Sequence, residues 1–144
     1  MDITVAKDAG YCFGVRDAVN LAYDTAKKYG SVYMLGDIVH NEQVVKDLEK
    51  AGAKVVGDIS EIPDDSPVLF RAHGTKNNLW KEAKERNLNI IDATCPLVHE
   101  IHREVKHLEE EGRKIIIIGD HGHDEVIAIA DQVKKPLIVS SKAE

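Results

Sequence analysis

Two cysteines lie in turns where their thiols could take part in chemistry. Cys95 follows a short strand predicted over residues 89–92 and precedes Pro96, a residue favoured in the first turn of a helix. Cys12 has the same setting, between a strand predicted over residues 3–6 and a helix. The unpaired N–H groups of a helix start favour a thiolate over a thiol. Both cysteines are therefore candidates for metal binding or redox chemistry.

Three histidines and one glutamate occupy equivalent positions, each between a predicted strand and a predicted helix. They are His40, His73, His123 and Glu125. Imidazole nitrogens at helix starts suit phosphate oxygens, and a carboxylic acid can supply a proton. The composite predicted from these residue types is a redox site that reduces an anionic, phosphorylated substrate.

The elements that must position these residues alternate between strand and helix. Short apolar runs bounded by turn residues predict strands over residues 3–6, 32–35, 54–56, 68–70, 89–92, 115–118 and 137–139. Apolar residues at helical spacing predict helices over residues 15–29, 96–111 and 125–133, and two more capped by Asn41 and Thr75. On the helix over residues 96–111 the expected apolar face is Leu97, Ile101, Val105 and Leu108.

Alternation of this kind predicts an α/β fold with a mainly parallel sheet. The run of four isoleucines at residues 115–118 predicts a strand covered on both faces. In a parallel sheet the turns after the strands share the carboxyl edge, where open α/β folds bind ligands. We therefore expect Cys12, Cys95, the three histidines and Glu125 to converge on one crevice.

Each candidate also has a purely structural interpretation. A lone cysteine is usually a small buried hydrophobe, although Gly10 and Gly14 beside Cys12 would allow a close approach of backbone to a ligand. Glu125 could simply stabilise the start of its helix. The remaining histidines are expected to be solvated or to cap helices: His99, His102, His107 and His121.

The metal chemistry stays open at this point. Two thiolates and several histidines could hold zinc, but the closely spaced ligand pairs typical of zinc sites are missing. Iron–sulfur clusters are also held by cysteine thiolates, which can come from distant turns. A cluster with an open iron can act as a Lewis acid on a substrate oxygen.

Composition limits the environment of the protein. The 144 residues carry a net charge of −6, which argues against a nucleic-acid-binding or anionic-membrane surface. No apolar run is long enough to cross a bilayer, and the first twenty residues do not have the pattern of a signal peptide. Two cysteines without a disulfide framework indicate a reducing compartment, so we expect a cytoplasmic protein.

Five ordered motifs resemble those of the 4-hydroxy-3-methylbut-2-enyl diphosphate reductase (IspH/LytB) family, and the resemblance runs through the whole chain. The motifs are Gly10-Tyr11-Cys12-Phe13-Gly14-Val15, Val39-His40-Asn41, Arg71-Ala72-His73-Gly74, Asp92-Ala93-Thr94-Cys95-Pro96-Leu97-Val98 and Gly122-His123-Asp124-Glu125-Val126. Any one of them is modestly specific, whereas the five in order are highly specific.

The resemblance implies an enzyme of three similar α/β domains around a 4Fe-4S cluster. Cys12 and Cys95 match two of the family's three cluster-binding cysteines. His40, His73 and His123 match the histidines that hold the substrate diphosphate, and Glu125 matches the glutamate of the proton relay. The implied substrate is 4-hydroxy-3-methylbut-2-enyl diphosphate, which is dehydroxylated to isopentenyl and dimethylallyl diphosphate. A ferredoxin- or flavodoxin-type donor supplies the electrons.

The chain departs from the family in several respects. The third cysteine and the later serine-and-asparagine diphosphate motif are absent. Asp124 stands where the family usually has proline, and Ala128 where it usually has glycine. We therefore predict a first α/β domain over residues 1–94 and an incomplete second domain over residues 95–144. A capping box from Ser141 to Glu144 predicts the start of a further helix, which indicates the front part of a longer protein.

The second hypothesis is a truncated, non-catalytic metal- or phosphate-binding module. It shares the motifs of the reductase and differs in lacking the chemistry.

Overall fold

A computed structural model describes residues 2–7 and 9–142 of the chain. Helices and strands alternate through them, which confirms the predicted α/β class. The helices are α1 (Phe13–Tyr29), α2 (Glu42–Lys50), α3 (Asn77–Glu85), α4 (Pro96–Glu110) and α5 (Asp124–Ala130). The strands are β1 (Val32–Leu35), β2 (Ala53–Val56), β3 (Pro67–Phe70), β4 (Asn89–Asp92), β5 (Ile116–Ile118) and β6 (Leu137–Val139).

The first four strands form one parallel sheet in the order β2-β1-β3-β4. Met34 in the central strand β1 pairs with Val55 of β2 and with Leu69 of β3. On the other side of β3, Val68 pairs with Ile90 of β4. Because these strands run in one direction, the turns that follow them lie along a single carboxyl edge.

Helices and loops bury both faces of this sheet. On one face the small residues Ala18 and Ala22 of α1 let the helix pack closely against Met34. On the other face Phe70 contacts Trp80 of α3 edge to face, with the ring centroids 4.8 Å apart. This double cover matches the near-continuous apolar character of the strands.

The helix ends show which local signals determined the starts and stops. Asn41 caps α2 as predicted, because its side chain accepts hydrogen bonds from the backbone N–H groups of Gln43 and Val44. The prediction that Thr75 caps α3 is wrong, since Lys76 occupies the cap position and Thr75 is buried. The backbone N–H of Asn77 instead donates to Asp131 Oδ2, 2.5 Å away.

The predicted apolar face of α4 is also partly wrong. Leu97 and Ile101 are exposed, and the side chains that α4 buries are Val98 and His102. The apolar pattern was compatible with two overlapping faces of the helix. Packing buries the face that contains Val98 and His102, each one residue after the expected Leu97 and Ile101.

The predicted strand over residues 3–6 is wrong. Residues 2–6 are extended coil without a sheet partner, and Ile3 and Val5 are 82% and 74% exposed. A strand needs hydrogen bonds from a neighbouring strand, and apolar composition alone does not supply them.

The last two strands form a separate parallel sheet in which Ile117 pairs with Ile138. The prediction that the isoleucine strand is covered on both faces is wrong here, because Ile116 and Ile118 are 60% and 86% exposed. The division at residue 94 stays a prediction. So does the capping box at Ser141, because residues 143 and 144 lie outside the described part of the chain. Within that part, every helix is too short or too polar to span a membrane.

Candidate functional site

Three histidines meet at the carboxyl edge of the four-stranded sheet. The rings of His40 and His73 lie 4.3 Å apart between centroids, and the ring of His123 lies 5.6 Å from the first and 5.9 Å from the second. His40 follows β1 and His73 follows β3, whereas His123 caps α5, which follows β5. The predicted convergence of these side chains is confirmed by this geometry.

Burial gives His73 a different protonation behaviour from a solvated histidine. Desolvation lowers the pKa of His73, and the neighbouring rings of His40 and His123 lower it further. Its Nδ1 atom is buried and has no hydrogen-bond partner among the described residues. A neutral imidazole is therefore favoured at His73 near pH 7, with one N–H to offer to an anion.

Both cysteines line one cavity at the same edge. Cys12 and Cys95 are free thiols that occupy the N-cap positions of α1 and α4, and the cavity between these helices has a volume of about 340 Å³. His73 and Glu125 also line it, and the remaining wall is largely apolar: Gly14, Val15, Ala72, Leu97, Val98 and Ile101. His73 thus belongs both to the histidine cluster and to the thiol cavity.

Gly14 allows the first turn of α1 to approach Cys95 closely. A Cβ atom at this position would lie 2.5 Å from Cys95 Sγ, closer than real Cβ contacts, and 3.1 Å from Cys95 Cβ, which is tight. The close approach brings the helix that starts after Cys12 directly against the second cysteine. The sequence predicted that this glycine allows a close approach of the backbone to a ligand. The close approach that the structure shows is to the side chain of Cys95.

Backbone and side-chain hydrogen bonds tie the site loops together. The backbone N–H of Cys95 donates to the carbonyl oxygen of Ala72, next to His73, at 3.0 Å. Asn41 Nδ2 donates to the hydroxyl oxygen of Tyr11 at 3.0 Å, which joins the loop of His40 to the loop of Cys12. The two motif pairs are therefore connected by direct bonds as well as by the sheet.

Glu125 lies in the first turn of α5. Its backbone N–H donates to Nδ1 of His123 at 3.3 Å, and its side chain lines the thiol cavity. An acid at this position serves the helix start electrostatically and also stands beside the two thiols. Both interpretations of Glu125 are thus compatible with its place.

The thiol cavity fits part of an iron–sulfur site. Two free thiols at helix N-termini face one largely apolar space, which suits sulfur ligation by Cys12 and Cys95. Over residues 2–7 and 9–142, however, His, Cys, Asp and Glu form no group of three or more that could hold a metal ion. A zinc site needs about four such ligands in one place, so the zinc alternative is disfavoured for this part of the chain. For a cluster, the described residues would offer two thiols, those of Cys12 and Cys95.

Sequence reasoning missed several residues around the site. His102 was expected to be solvated, yet it is buried, burial lowers its pKa, and its Nε2 has no partner among the described residues. His99 is likewise engaged, with Nε2 2.8 Å from Asp92 Oδ2. A signal for His102 existed in its spacing, since it lies four residues after the buried Val98. His107 remains a surface residue, 3.4 Å from Glu111.

The two positions that depart from the family motif are both engaged in packing. Asp124 Oδ2 accepts a hydrogen bond from Arg71 Nη1 at 2.6 Å. Ala128 is buried against Gly74, where its Cβ lies 3.3 Å from the place a Gly74 Cβ would take. An extra methyl at residue 128 is therefore accommodated beside the His73 turn.

Fold and site together define an α/β protein with a cluster of three histidines next to a cavity lined by two free thiols. The profile of the family described as LytB protein matches residues 3–144. The chain belongs to this family.

Relatives and solved structures agree with this assignment. A protein of Clostridioides difficile (strain 630) named 4-hydroxy-3-methylbut-2-enyl diphosphate reductase is 41% identical over 145 residues, which cover 100% of this chain and 52% of that protein. A protein of the same name from Wolbachia pipientis wMel is 42% identical over 141 residues, covering 95% of this chain and 46% of that protein. The chain thus spans about half the length of the curated relatives it matches.

Two solved structures share the fold. The E-1-hydroxy-2-methyl-but-2-enyl-4-diphosphate reductase from Plasmodium falciparum superposes with a TM-score of 0.89 at 36% identity, over 92% of this chain and 42% of that one. A second structure is described as (E)-4-hydroxy-3-methyl-but-2-enyl diphosphate reductase, the terminal enzyme of the non-mevalonate pathway. It gives a TM-score of 0.85 at 34% identity, over 98% of this chain and 52% of that one.

Proposed function

We propose that this chain is the N-terminal part of a 4-hydroxy-3-methylbut-2-enyl diphosphate reductase and that its histidine cluster binds the substrate diphosphate. The observation that supports this most directly is the meeting of His40, His73 and His123 within 6 Å of one another. Imidazole N–H groups beside the starts of α2 and α5 form a site for an anion with several oxygen atoms. The diphosphate would thereby be anchored at the carboxyl edge.

Cys12 and Cys95 would hold a 4Fe-4S cluster together with a cysteine from outside this sequence. When bound, such a cluster supplies electrons and a Lewis-acidic iron. The protein contributes the rest of the environment. Apolar side chains, among them Leu97 and Val98, line the cavity wall beside the thiols and lower the polarity of their surroundings.

Glu125 is the proposed proton donor. Its side chain lines the cavity that the thiols and His73 also line, so it shares one space with both groups. A protonated carboxyl at this place can give its proton to the hydroxyl oxygen of the substrate, which then leaves as water. The C–O bond breaks, and the reaction consumes two electrons and two protons, one proton for the departing water and one for a carbon of the allylic product. We assign the electrons to a ferredoxin- or flavodoxin-type donor. Both thiols are free, which a reducing cytoplasm would preserve.

The test of this function uses the complete gene product purified without oxygen. We expect it to contain iron and acid-labile sulfide and to reduce the diphosphate alcohol. Cys12→Ser and Cys95→Ser should lose iron or leave a labile cluster, whereas Glu125→Gln should keep the cluster and turn over at least about 100-fold more slowly. Unchanged iron content and turnover in both cysteine variants would contradict the ligand role.

The second candidate is a non-catalytic phosphate- or metal-binding module. It is favoured by the fact that this chain alone brings the three imidazoles together. It predicts pyrophosphate binding by the 144 residues and a reading frame without a further cysteine in a strand-to-helix turn. The continuation of the frame past Glu144 distinguishes the two candidates directly.

A further inference from the structure

A half-buried ion pair joins the loops that carry two of the site histidines. Arg71 Nη1 lies 2.6 Å from Asp124 Oδ2, and the two side chains are 24% and 33% exposed. Arg71 lies two residues before His73, and Asp124 directly follows His123. The partners are 53 residues apart in the chain, so the pair is a long-range connection between two site loops.

Within residues 2–7 and 9–142, this pair holds one end of α5 and a second polar contact holds the other end. At the far end the backbone N–H and the side-chain amide of Asn77 donate to Asp131 Oδ2 and to its carbonyl oxygen, at 2.5 Å and 2.8 Å. Between the two ends Ala128 packs against Gly74. The helix that begins after His123 is therefore attached to segments on both sides of His73.

The Arg71 guanidinium is itself held in place by packing. Arg71 is therefore the fixed partner that orients Asp124. Gly36 has a φ of +75°, and a Cβ atom there would lie 2.9 Å from Arg71 Nη1 and 3.4 Å from Arg71 Cδ. The absence of a side chain at residue 36 leaves the space that the arginine fills. A charge-assisted hydrogen bond between partly buried groups with restricted rotamers orients its partners better than a pair of solvated side chains.

We propose that Asp124 is a positioning residue for the anion site: through Arg71 it fixes the start of α5 and thereby the orientation of the His123 ring against His73. This proposal rests on the proposed diphosphate-binding role of the histidines. It adds a role for a residue that does not line the thiol cavity. The expected consequence is that the two rings lose their fixed relation when the pair is broken, although each loop keeps its own structure.

Asp124 could instead act only by neutralising Arg71. These two roles predict opposite signs for anion affinity. If Asp124 positions His123, its removal weakens anion binding, because a cluster that is no longer preorganised must be ordered on binding. If Asp124 merely screens Arg71, its removal exposes a cation beside the site and strengthens anion binding.

The experiment compares Asp124→Asn with Asp131→Asn in the 144-residue chain. Each substitution replaces a carboxylate at one end of α5 with a neutral amide and so weakens the side-chain hydrogen bond accepted there, but only the first lies beside His123. The readouts are the NOE between the imidazole protons of His73 and His123, and the dissociation constant of inorganic pyrophosphate measured by calorimetry. Circular dichroism reports whether each variant is folded.

We expect Asp124→Asn to abolish the NOE and to weaken pyrophosphate binding about tenfold, whereas Asp131→Asn preserves the NOE and changes the affinity less than about twofold. Asp124→Glu retains a carboxylate and should recover most of the affinity. Arg71→Lys keeps the charge without the planar guanidinium and should reproduce the loss. An unchanged NOE in Asp124→Asn, or tighter pyrophosphate binding, would overturn the proposal.

The two proposals fail in different ways. If the unmodified chain binds no pyrophosphate, the diphosphate role of the histidines is contradicted, and the NOE alone then decides the positioning role. If the chain binds pyrophosphate and both α5 variants weaken it equally, general loosening of α5 accounts for the effect and the specific role of Asp124 is rejected.

Discussion

His73 is the residue that joins the two halves of the site. Its ring contacts the rings of His40 and His123, and its side chain also lines the cavity of Cys12 and Cys95. Because desolvation lowers its pKa, the ring stays neutral beside its two imidazole neighbours. A neutral His73 ring keeps one N–H that it can donate to an anion.

Replacement of His73 should weaken anion binding more than that of any surface histidine. His73→Ala removes a central partner of the cluster, and a hydrogen bond to a charged group is worth about 1.5–3 kcal/mol, so we expect pyrophosphate affinity to fall by about 10- to 100-fold. His107→Ala is the matched control, because His107 lies on the exposed side of α4. Calorimetric titration measures both, and equal affinities for the two variants would contradict the role of His73.

Gly14 should tolerate no side chain while Cys95 keeps its position. The Cβ of Gly14→Ala would meet Cys95 Sγ at 2.5 Å, so either α1 or the thiol must move. Overpacking of this kind usually destabilises by about 1–3 kcal/mol, which chemical denaturation would detect. We also expect the alkylation rate of Cys95 to change.

Gly57→Ala is the control for that substitution. A Cβ atom at residue 57 would meet only the end of the Glu61 side chain, at 3.5 Å, an ordinary contact distance. If Gly14→Ala were as stable as this control and its Cys95 reacted at the unmodified rate, the close packing of α1 on the thiol would be refuted.

At the scale of elements, periodic apolar patterns predicted most helices and strands because those elements bury one continuous face. The strand over residues 32–35 is found with the predicted bounds, and Asn41 caps its helix, since both signals act within a few residues. The signals failed where a distant segment decides. At the start of α3 the side chain that accepts a backbone N–H belongs to Asp131 and not to Thr75. Residues 3–6 have no neighbouring strand with which to pair.

The site itself could be predicted in outline and not in its supporting contacts. The convergence of His40 and His73 followed from the rule that turns after parallel strands share an edge, whereas His123 follows β5 of the second sheet and the rule does not account for its position. The ion pair between Arg71 and Asp124 joins residues 53 apart, and no local pattern encodes such a partner.

Helix α4 should give the protein a pH-dependent stability through His102. Desolvation lowers the pKa of His102, assisted by His99 and Lys106 and opposed by Asp92. The unfolded chain therefore binds a proton near pH 6.5 that the folded chain resists. Stability rises with pH in this window, so it is fully present above pH 6.5 and is lost as the pH falls from 6.5 towards the lowered pKa.

The measurement is the free energy of unfolding at several pH values between 7.5 and 5. One histidine contributes at most about 1.4 kcal/mol per pH unit to the slope, and His102→Gln should remove its share. His73, whose pKa is also lowered, should retain its own share in that variant. A slope that His102→Gln leaves unchanged would show that the buried ring is not the source.

At the scale of the whole molecule, the second sheet differs from the first in its exposure. The four-stranded sheet is covered on both faces, whereas β5 and β6 present Ile116, Ile118 and Leu137 to solvent, and Ile118 is 86% exposed. These three side chains are register neighbours on the paired strands, since Ile116 pairs with Leu137. Contiguous apolar surface of this kind drives association.

We therefore expect the 144-residue chain to self-associate in a concentration-dependent manner through the face of β5 and β6. Ile118→Lys places a charge at the centre of that surface and should shift the sedimentation coefficient towards the monomer value at concentrations of about 100 μM, where specific but weak contacts are populated. Ile3→Lys makes the same chemical change at a side chain that is 82% exposed and has no sheet partner. If Ile3→Lys dissociates the assembly to the same extent as Ile118→Lys, the face of β5 and β6 is not the specific contact surface, and the N-terminal segment takes part in association. If the unmodified chain and both variants all sediment as monomers, the exposed face of β5 and β6 is too small to drive association by itself.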